Sequence, residues 1–202
     1  MVTEDWIDFT KQTLNYMSHG YELYCPISIP EAKAFRASEI DDKLIRKYHT
    51  DMGKDARYRA KKAGRANYAY IRWGSYAVIL RTKGIELSLQ DPDRFYDIRN
   101  KPYIFKVGSW ISVKIGPARI GKKFTAYLCK DSYRNIKAIM RENIGHRRMD
   151  VFDQYYYRLE SLPAFSGILS QMGELYRFCR EEIKKTKLKH NIRRLNLRRL
   201  YS

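Results

Sequence analysis

The feature that most constrains this chain is a pair of Gly-Ser dipeptides set between strand-forming segments. Gly74-Ser75 separates Tyr68–Trp73 from Tyr76–Arg81, and Gly108-Ser109 lies at the centre of residues 101–115. The flanks are rich in Tyr, Ile, Val and Trp, which fit a pleated, half-buried surface. A two-residue Gly-X connection suits the type II′ turn, whose twist matches that of the strands it joins. In that register Trp73 faces Tyr76, Ile71 faces Val78 and Ala69 faces Leu80, giving an apolar face. The other face carries Tyr68, Tyr70, Arg72, Ala77, Ile79 and Arg81, aromatic and basic together, because side chains alternate along a strand. The same logic for the second hairpin puts Ile104, Ile111, Val113 and Ile115 on a core face. It puts Tyr103, Phe105, Val107, Trp110, Ser112 and Lys114 on the other. Two such hairpins predict an antiparallel sheet of four or more strands.

Around the hairpins the apolar spacing turns helical. Thr3, Glu4 and Asp5 mark a helix start, Trp6, Phe9, Thr13, Leu14 and Met17 give its stripe, and Gly20 stops it. Residues 21–29 alternate loosely, and Pro26 demotes them to an edge strand. Ser38 is an expected N-cap for a helix with Ile40, Leu44, Ile45 and Tyr48 on one side. A turn at residues 49–53 leads into a basic helix, residues 54–62, closed by Gly64 and packing through Ala56, Ala60 and Ala63. Residues 91–93 read as a loop, and residues 95–98 and 122–128 as further strands. Beyond them, Asp131 caps a helix faced by Ile136, Ile139, Met140 and Ile144, and residues 150–161 form another. Pro163 suits the first position of a last helix. That helix has the strongest period in the chain, from Phe165 through Ile168, Met172, Leu175 and Cys179 to Ile183, and core packing is its expected role. The fold class is therefore α+β: an antiparallel sheet built from two Gly-Ser hairpins, with N-terminal helices and a C-terminal helical layer. The expected division is an α+β nucleic-acid-binding domain over 1–128, a helical layer of the same or an adjoining domain over 129–186, and a basic tail over 187–202.

Charge supplies the functional argument. The net charge is +18, and it is clustered. Residues 54–72 hold seven basic residues against one acidic, and residues 181–202 hold eight against two, so these two stretches carry +12 of the total. A field of this sign and clustering selects polyanionic partners. Lys54, Arg57, Arg59, Lys61, Lys62 and Arg65 are expected to hold phosphates. Tyr68, Tyr70, Tyr103, Phe105 and Trp110 are candidate stacking platforms, with Arg72 and Arg81 beside them. The tail adds Lys184, Lys185, Lys187, Lys189, Arg193, Arg194, Arg198 and Arg199. Leu188, Ile192 and Leu195 keep an approximate helical period there. The tail reads as an extension of the last helix, as an arm ordered on binding, or as a membrane-surface segment without Trp or Phe anchors. Together these features point to a non-catalytic nucleic-acid-binding protein, with RNA or single-stranded DNA mildly favoured over duplex DNA. Size and charge suit an accessory of a ribonucleoprotein, mobile-element, replication or defence complex.

Two other classes compete. Helix, glycine turn, basic helix and hairpin are the order of a helix-turn-helix with a wing, which would read duplex DNA. The basic helix, however, has no Asn or Gln for base edges, which points to phosphate contact. A metal-independent nuclease or strand transferase would use His or Tyr beside cations, and His49 and His146 are its candidate catalytic groups. No HExxH or phosphate-cradling glycine loop is present. The carboxylate pairs Asp41-Asp42, Asp91/Asp93 and Asp150/Asp153 read as helix-start or loop chemistry. No cofactor or metal is expected. Cys25, Cys129 and Cys179 lack metal or disulfide spacing and read as reduced thiols. The acidic opening MVTEDWIDF has no apolar core, so neither a secretory leader nor a membrane span is expected, and the cytoplasm is the expected compartment.

Overall fold

The computed structural model describes residues 1–88, 93–121 and 123–200. Among them are six α-helices and two antiparallel sheets, an α+β class as expected. The chain divides into two compact units. The first comprises Met1–Tyr103, Ile115–Pro117 and Lys122–Phe124; the second comprises Ile104–Lys114, Ala118–Gly121 and Thr125–Ser202.

In the first unit, α1 (Trp6–Ser18) starts where the Asp5 carboxylate accepts the Asp8 amide at 2.8 Å. Thr10 and Thr13 are fully buried on α1, and their hydroxyls donate to the carbonyls of Trp6 and Phe9, each at 2.7 Å. That internal pairing lets polar side chains enter the core. Strand β1 (Leu23–Ser28) follows, then a 3₁₀ turn (Glu31–Arg36) that runs directly into α2 (Ala37–Tyr48). Ser38 therefore lies inside the first turn of α2 and is not its cap. Next come α3 (Lys54–Lys62), β2 (Tyr68–Trp73), β3 (Tyr76–Arg81) and the short β4 (Tyr96–Asp97). The bounds of α3, β2 and β3 coincide with the sequence expectation. So does the hairpin register, with Trp73 opposite Tyr76, Ile71 opposite Val78 and Ala69 opposite Leu80. Gly74 has φ +54° while Ser75 stays outside the positive-φ region, which is the II′ pattern.

The sheet order is β2-β3-β1-β4. Strand β1 is thus internal, contrary to the edge position expected from Pro26. It pairs with β3 along its whole length, but β4 reaches only Leu23 and Tyr24. At Pro26 the strand has one neighbour, so its missing N–H costs no ladder bond on the open side. Both faces of the β2–β3 hairpin are covered. One meets α2 and the residues around it, with Tyr48, Tyr68, Tyr70, Ala77 and Ile79 in one cluster beside Leu44, Ile45 and Phe95. The other face, with Ile71, Val78 and Leu80 fully buried, meets α1.

The two hairpins do not share a sheet. The second forms β5 (Tyr103–Val107) and β6 (Ile111–Pro117), with β7 (Phe124–Leu128) completing the order β5-β6-β7. Its turn takes three residues, Gly108 to Trp110, in place of two. One extra turn residue shifts the pairing by one and reverses which face of β5 looks inward. Tyr103 and Phe105 are accordingly buried with Ile111, Val113 and Ile115, while Ile104 is 56% exposed.

The second unit adds α4 (Lys130–Gly145), α5 (Met149–Arg158) with a 3₁₀ turn (Leu159–Ser161), and α6 (Ser166–Lys185). Cys129 stands at the N-cap of α4, with Asp131 in its first turn. Pro163 precedes α6 and bridges to Arg198 instead of opening the helix. The start of α6 is satisfied by Thr125 of β7, whose Oγ1 accepts from the Gly167 amide at 3.1 Å and the Ser166 hydroxyl at 2.9 Å. Gln171 locks α6 to β7 by exchanging two bonds with the Leu128 backbone, at 2.8 and 2.9 Å. The apolar stripe Ile168, Met172, Leu175, Cys179 and Ile183 is buried, as its period predicted.

The tail does not extend the last helix, as one of its expected forms had it. Past Lys185 the chain runs without helix to Leu200 and folds back on its own unit as a strap. Leu197 is 5% exposed, the Arg198 amide donates to the carbonyls of Glu160 and Leu162, and the Ala164 amide donates to the Arg198 carbonyl.

Candidate nucleic-acid interface

In the first unit the candidate surface is α3. Gly53 caps it in extended conformation, and the His49 backbone, in the left-handed region at φ +48°, turns the chain from α2 towards it. Only Ala60 is buried on α3; Ala56 is half-buried, and Ala63 at its C-cap is exposed. The helix is therefore attached along a thin line and leaves most of its circumference in solvent. Lys54, Arg59, Lys61, Lys62 and Arg65 are all exposed, and none is in an ion pair among the described residues. Arg57 differs from them. It is half-buried, its Nη2 donates to the Thr50 carbonyl at 2.8 Å, and its own carbonyl accepts from Asn67 at 2.9 Å. Arg57 thus holds the turn between α2 and α3.

Sequence reasoning passed over Tyr58. Its ring is 67% exposed, and Lys54, Lys61 and Lys62 lie four, three and four residues away, on the same side of the helix. The signal was available: an aromatic residue placed off the Ala56–Ala60–Ala63 line of a helix has nowhere apolar to go.

The predicted stacking face of the first hairpin is not available for stacking. Tyr68 and Tyr70 are 2% and 3% exposed. The Tyr70 hydroxyl donates to Asp41 at 2.5 Å, and burial together with that carboxylate pushes its phenol well above the usual range. Arg72 grips the same carboxylate through Nε at 2.7 Å and Nη2 at 2.8 Å. Asp41, only 6% exposed, is thus spent on two partners from β2 and forms no pair with the exposed Asp42. Arg81 is buried, stacks 4.8 Å over Phe95 and pairs with Glu86. Covered on both faces, the hairpin is not a free wing either.

The second hairpin supplies one ring. Tyr103 and Phe105 are buried by the register shift, while Trp110 is 48% exposed at the turn. Trp110 lines an apolar pocket of about 260 Å³ with Ile136, Met140, Tyr155 and Leu159.

On the tail, Lys184, Lys185, Lys187, Lys189, Arg198 and Arg199 are exposed, with Lys185 paired to Glu182 at 2.7 Å. Arg193 is committed internally: it meets Glu160 through Nη1 at 2.5 Å and Nη2 at 3.1 Å. That guanidinium, and then the Asn196 amide at 2.6 Å, hold the Glu160 carboxyl below its ordinary range.

His49 and His146 are both exposed at helix C-caps, and neither imidazole has a hydrogen-bond partner among the described residues. His190 is the histidine with a carboxylate, 3.0 Å from Asp153, which is thus a ring partner and not only the helix-start charge expected of it and Asp150. Asp93 meets Lys47 at 2.7 Å and also accepts the Tyr48 hydroxyl; Asp91 and Pro92 lie outside the described residues, as does Lys122. Among the described residues no three His, Cys, Asp or Glu side chains gather closely enough to hold a metal ion, and no helix is long and apolar enough to cross a membrane. Burial pushes the Cys25 thiol up to about 11 and the Cys179 thiol to about 12. Searches against protein-family models, curated proteins and solved structures return no match to this chain.

Proposed function

We propose that this protein binds single-stranded nucleic acid, RNA in preference to duplex DNA, and leaves the strand intact. The observation that carries the reading is α3: an exposed helix whose Lys54, Lys61 and Lys62 share a side with the exposed Tyr58, with Arg59 exposed next to them in sequence. Cations draw in the phosphates and release counterions, and a π-face beside them accepts an unpaired base. A paired base offers no such face, which favours a single strand. RNA over single-stranded DNA remains a preference from module type, since RNA readers commonly stack splayed bases on aromatic rings. The setting would be an accessory subunit within a larger nucleoprotein assembly.

The test is a titration of the full chain against labelled single-stranded RNA, single-stranded DNA and duplex DNA at two salt concentrations, followed by a denaturing gel. Salt-sensitive binding ordered RNA, single-stranded DNA, duplex, with intact strands, is the expected result. Sequence-dependent preference for one duplex would favour a duplex reader, and shortened strands would favour a nuclease. Absence of binding at moderate salt would overturn the reading.

A further inference from the structure

The second unit carries a cationic groove that the helical period of the tail concealed. One wall is α6, which presents Tyr176, Arg177, Arg180 and Lys184; the other is the strap, which presents His190 and Arg194. Two depressions of about 610 and 380 Å³ share Tyr176 and Arg177 in their linings, so they are neighbours along the helix. The Tyr176 ring organises it. Arg180 from the helix and Arg194 from the strap place their guanidinium carbons 5.6 and 5.7 Å from the ring centroid, within cation–π range.

Two of the three acids of α6 are paired elsewhere. Glu174 pairs with Arg119, and Glu182 pairs with Arg141 and Lys185. Glu181 is the one carboxylate lining the groove. Arg177, Arg180, Lys184 and Arg194 are in no ion pair among the described residues. The second unit as a whole holds twenty basic and eight acidic residues, so Glu181 offsets only part of the positive charge there. From Arg177 to Lys184 the helix rises about 10 Å, so its cations are spread along the groove instead of gathered at one point.

We propose that this groove holds the backbone of a single nucleic-acid strand, with Arg177, Arg180, Lys184 and Arg194 meeting its phosphates. The inference rests on the nucleic-acid reading above and adds a second, structurally separate binding segment to it. A single strand fits better than a duplex because Leu188 and Ile192 of the strap also line the groove and can meet exposed base faces. The strap wall is built by Glu160, which lies outside the groove. It accepts from Arg193 and from the Asn196 amide, while the Tyr156 hydroxyl donates to the Arg193 carbonyl at 3.0 Å. Glu160 is therefore a positioning residue for Arg194.

The experiment uses the full chain and a fluorescein-labelled oligouridine, read by anisotropy over a salt series. A groove variant (Arg177→Gln, Arg180→Gln, Arg194→Gln) is compared with a control (Lys106→Gln, Lys130→Gln, Arg134→Gln) that removes equal charge from exposed sites of the same unit. The groove variant should lose roughly tenfold or more in affinity, and its salt slope should fall by about two, near 0.7 per lost phosphate contact. The control should change both by less than half as much. Glu160→Gln makes the protein more positive, so a general electrostatic field predicts tighter binding; release of the strap wall predicts weaker binding. Equal weakening of groove variant and control, or tighter binding by Glu160→Gln, would overturn the groove. So would intact oligouridine binding by a groove variant that has lost attachment to phosphatidylserine vesicles, which would assign the groove to a membrane surface. Failure of the unmodified protein to bind any strand would sink the functional reading itself, a result distinct from loss of the groove alone.

Discussion

Replacing Asp41 by Ala tests the internal architecture that presents α3. Asp41 is buried, and its carboxylate accepts the Tyr70 hydroxyl at 2.5 Å and two Arg72 nitrogens at 2.7 and 2.8 Å. The Arg72 and Asp41 side chains are 14% and 9% exposed, so water screens this pair poorly. Deleting the carboxylate leaves the Arg72 charge buried without its partner and orphans the Tyr70 hydroxyl. Breaking a buried pair in this way costs about 3–5 kcal/mol. Replacing both members, as in Asp41→Leu with Arg72→Met, removes the orphan charge and should recover most of that loss, since apolar substitutes for buried pairs are often neutral. The assay is urea unfolding with the midpoint and slope compared across the wild type, both single variants and the double variant. A loss below about 1 kcal/mol for Asp41→Ala, the value of an exposed pair, would refute the claim that this network fixes α2 on the sheet. The same reasoning assigns Arg72 to stability: Arg72→Met alone should shift the urea midpoint, while the salt slope of nucleic-acid binding by the folded variant stays unchanged.

Three further expectations follow from particular side chains. Phe105→Ala should cost about 3–5 kcal/mol as a buried aromatic truncation, while Ile104→Thr on the exposed face should stay within about 0.5 kcal/mol; the reverse order in urea unfolding would restore the two-residue register of the second hairpin. Tyr58→Ala should weaken single-stranded RNA binding by about 1–3 kcal/mol with the salt slope intact, and a variant of unchanged affinity in the same anisotropy titration would remove the ring from the interface. The Glu160 carboxyl is held below its ordinary value of 4.5 by Arg193. Its depressed pKa means that the strap contact is fully present above 4.5 and is lost as pH falls through the lower folded value. Amide signals of Asn196 and Arg198 followed by NMR should therefore hold steady down to that range and shift below it; a transition above 4.5 would contradict the assignment.

The legible parts of this chain were those fixed by local chemistry. Gly74-Ser75 has the stereochemistry of a II′ turn, and once the turn is fixed the register of β2 and β3 follows from alternation alone. The basic helix was equally clear, because Gly53 and Gly64 bracket it. The second hairpin failed on one residue: Trp110 fits a strand or a turn equally well, and its inclusion in the turn reverses the face of β5. Tyrosine was the wider difficulty. Tyr68 and Tyr70 carry both a ring and a hydroxyl; Tyr68 packs on Tyr48 and Phe95, and Tyr70 meets Asp41, a residue that lies 29 positions away and carries no local sign of its role. The strap misled through Leu188, Ile192 and Leu195, whose spacing is helical. The chain there is instead tied by Glu160 to Arg193 and by the burial of Leu197, contacts that only the folded unit brings together.

The most direct test of the central claim is the salt dependence of single-stranded RNA binding by a variant with Lys54, Arg59, Lys61 and Lys62 replaced by Ala. Arg57 is kept because it holds the turn at Thr50. Alanine preserves helical propensity, so α3 should stay folded by circular dichroism. Four lost phosphate contacts at about 0.7 each predict a slope smaller by nearly three and a correspondingly large loss of affinity at low salt. An unchanged slope and affinity in this folded variant would mean that α3 does not meet the strand, and the proposed function would lose the observation that carries it.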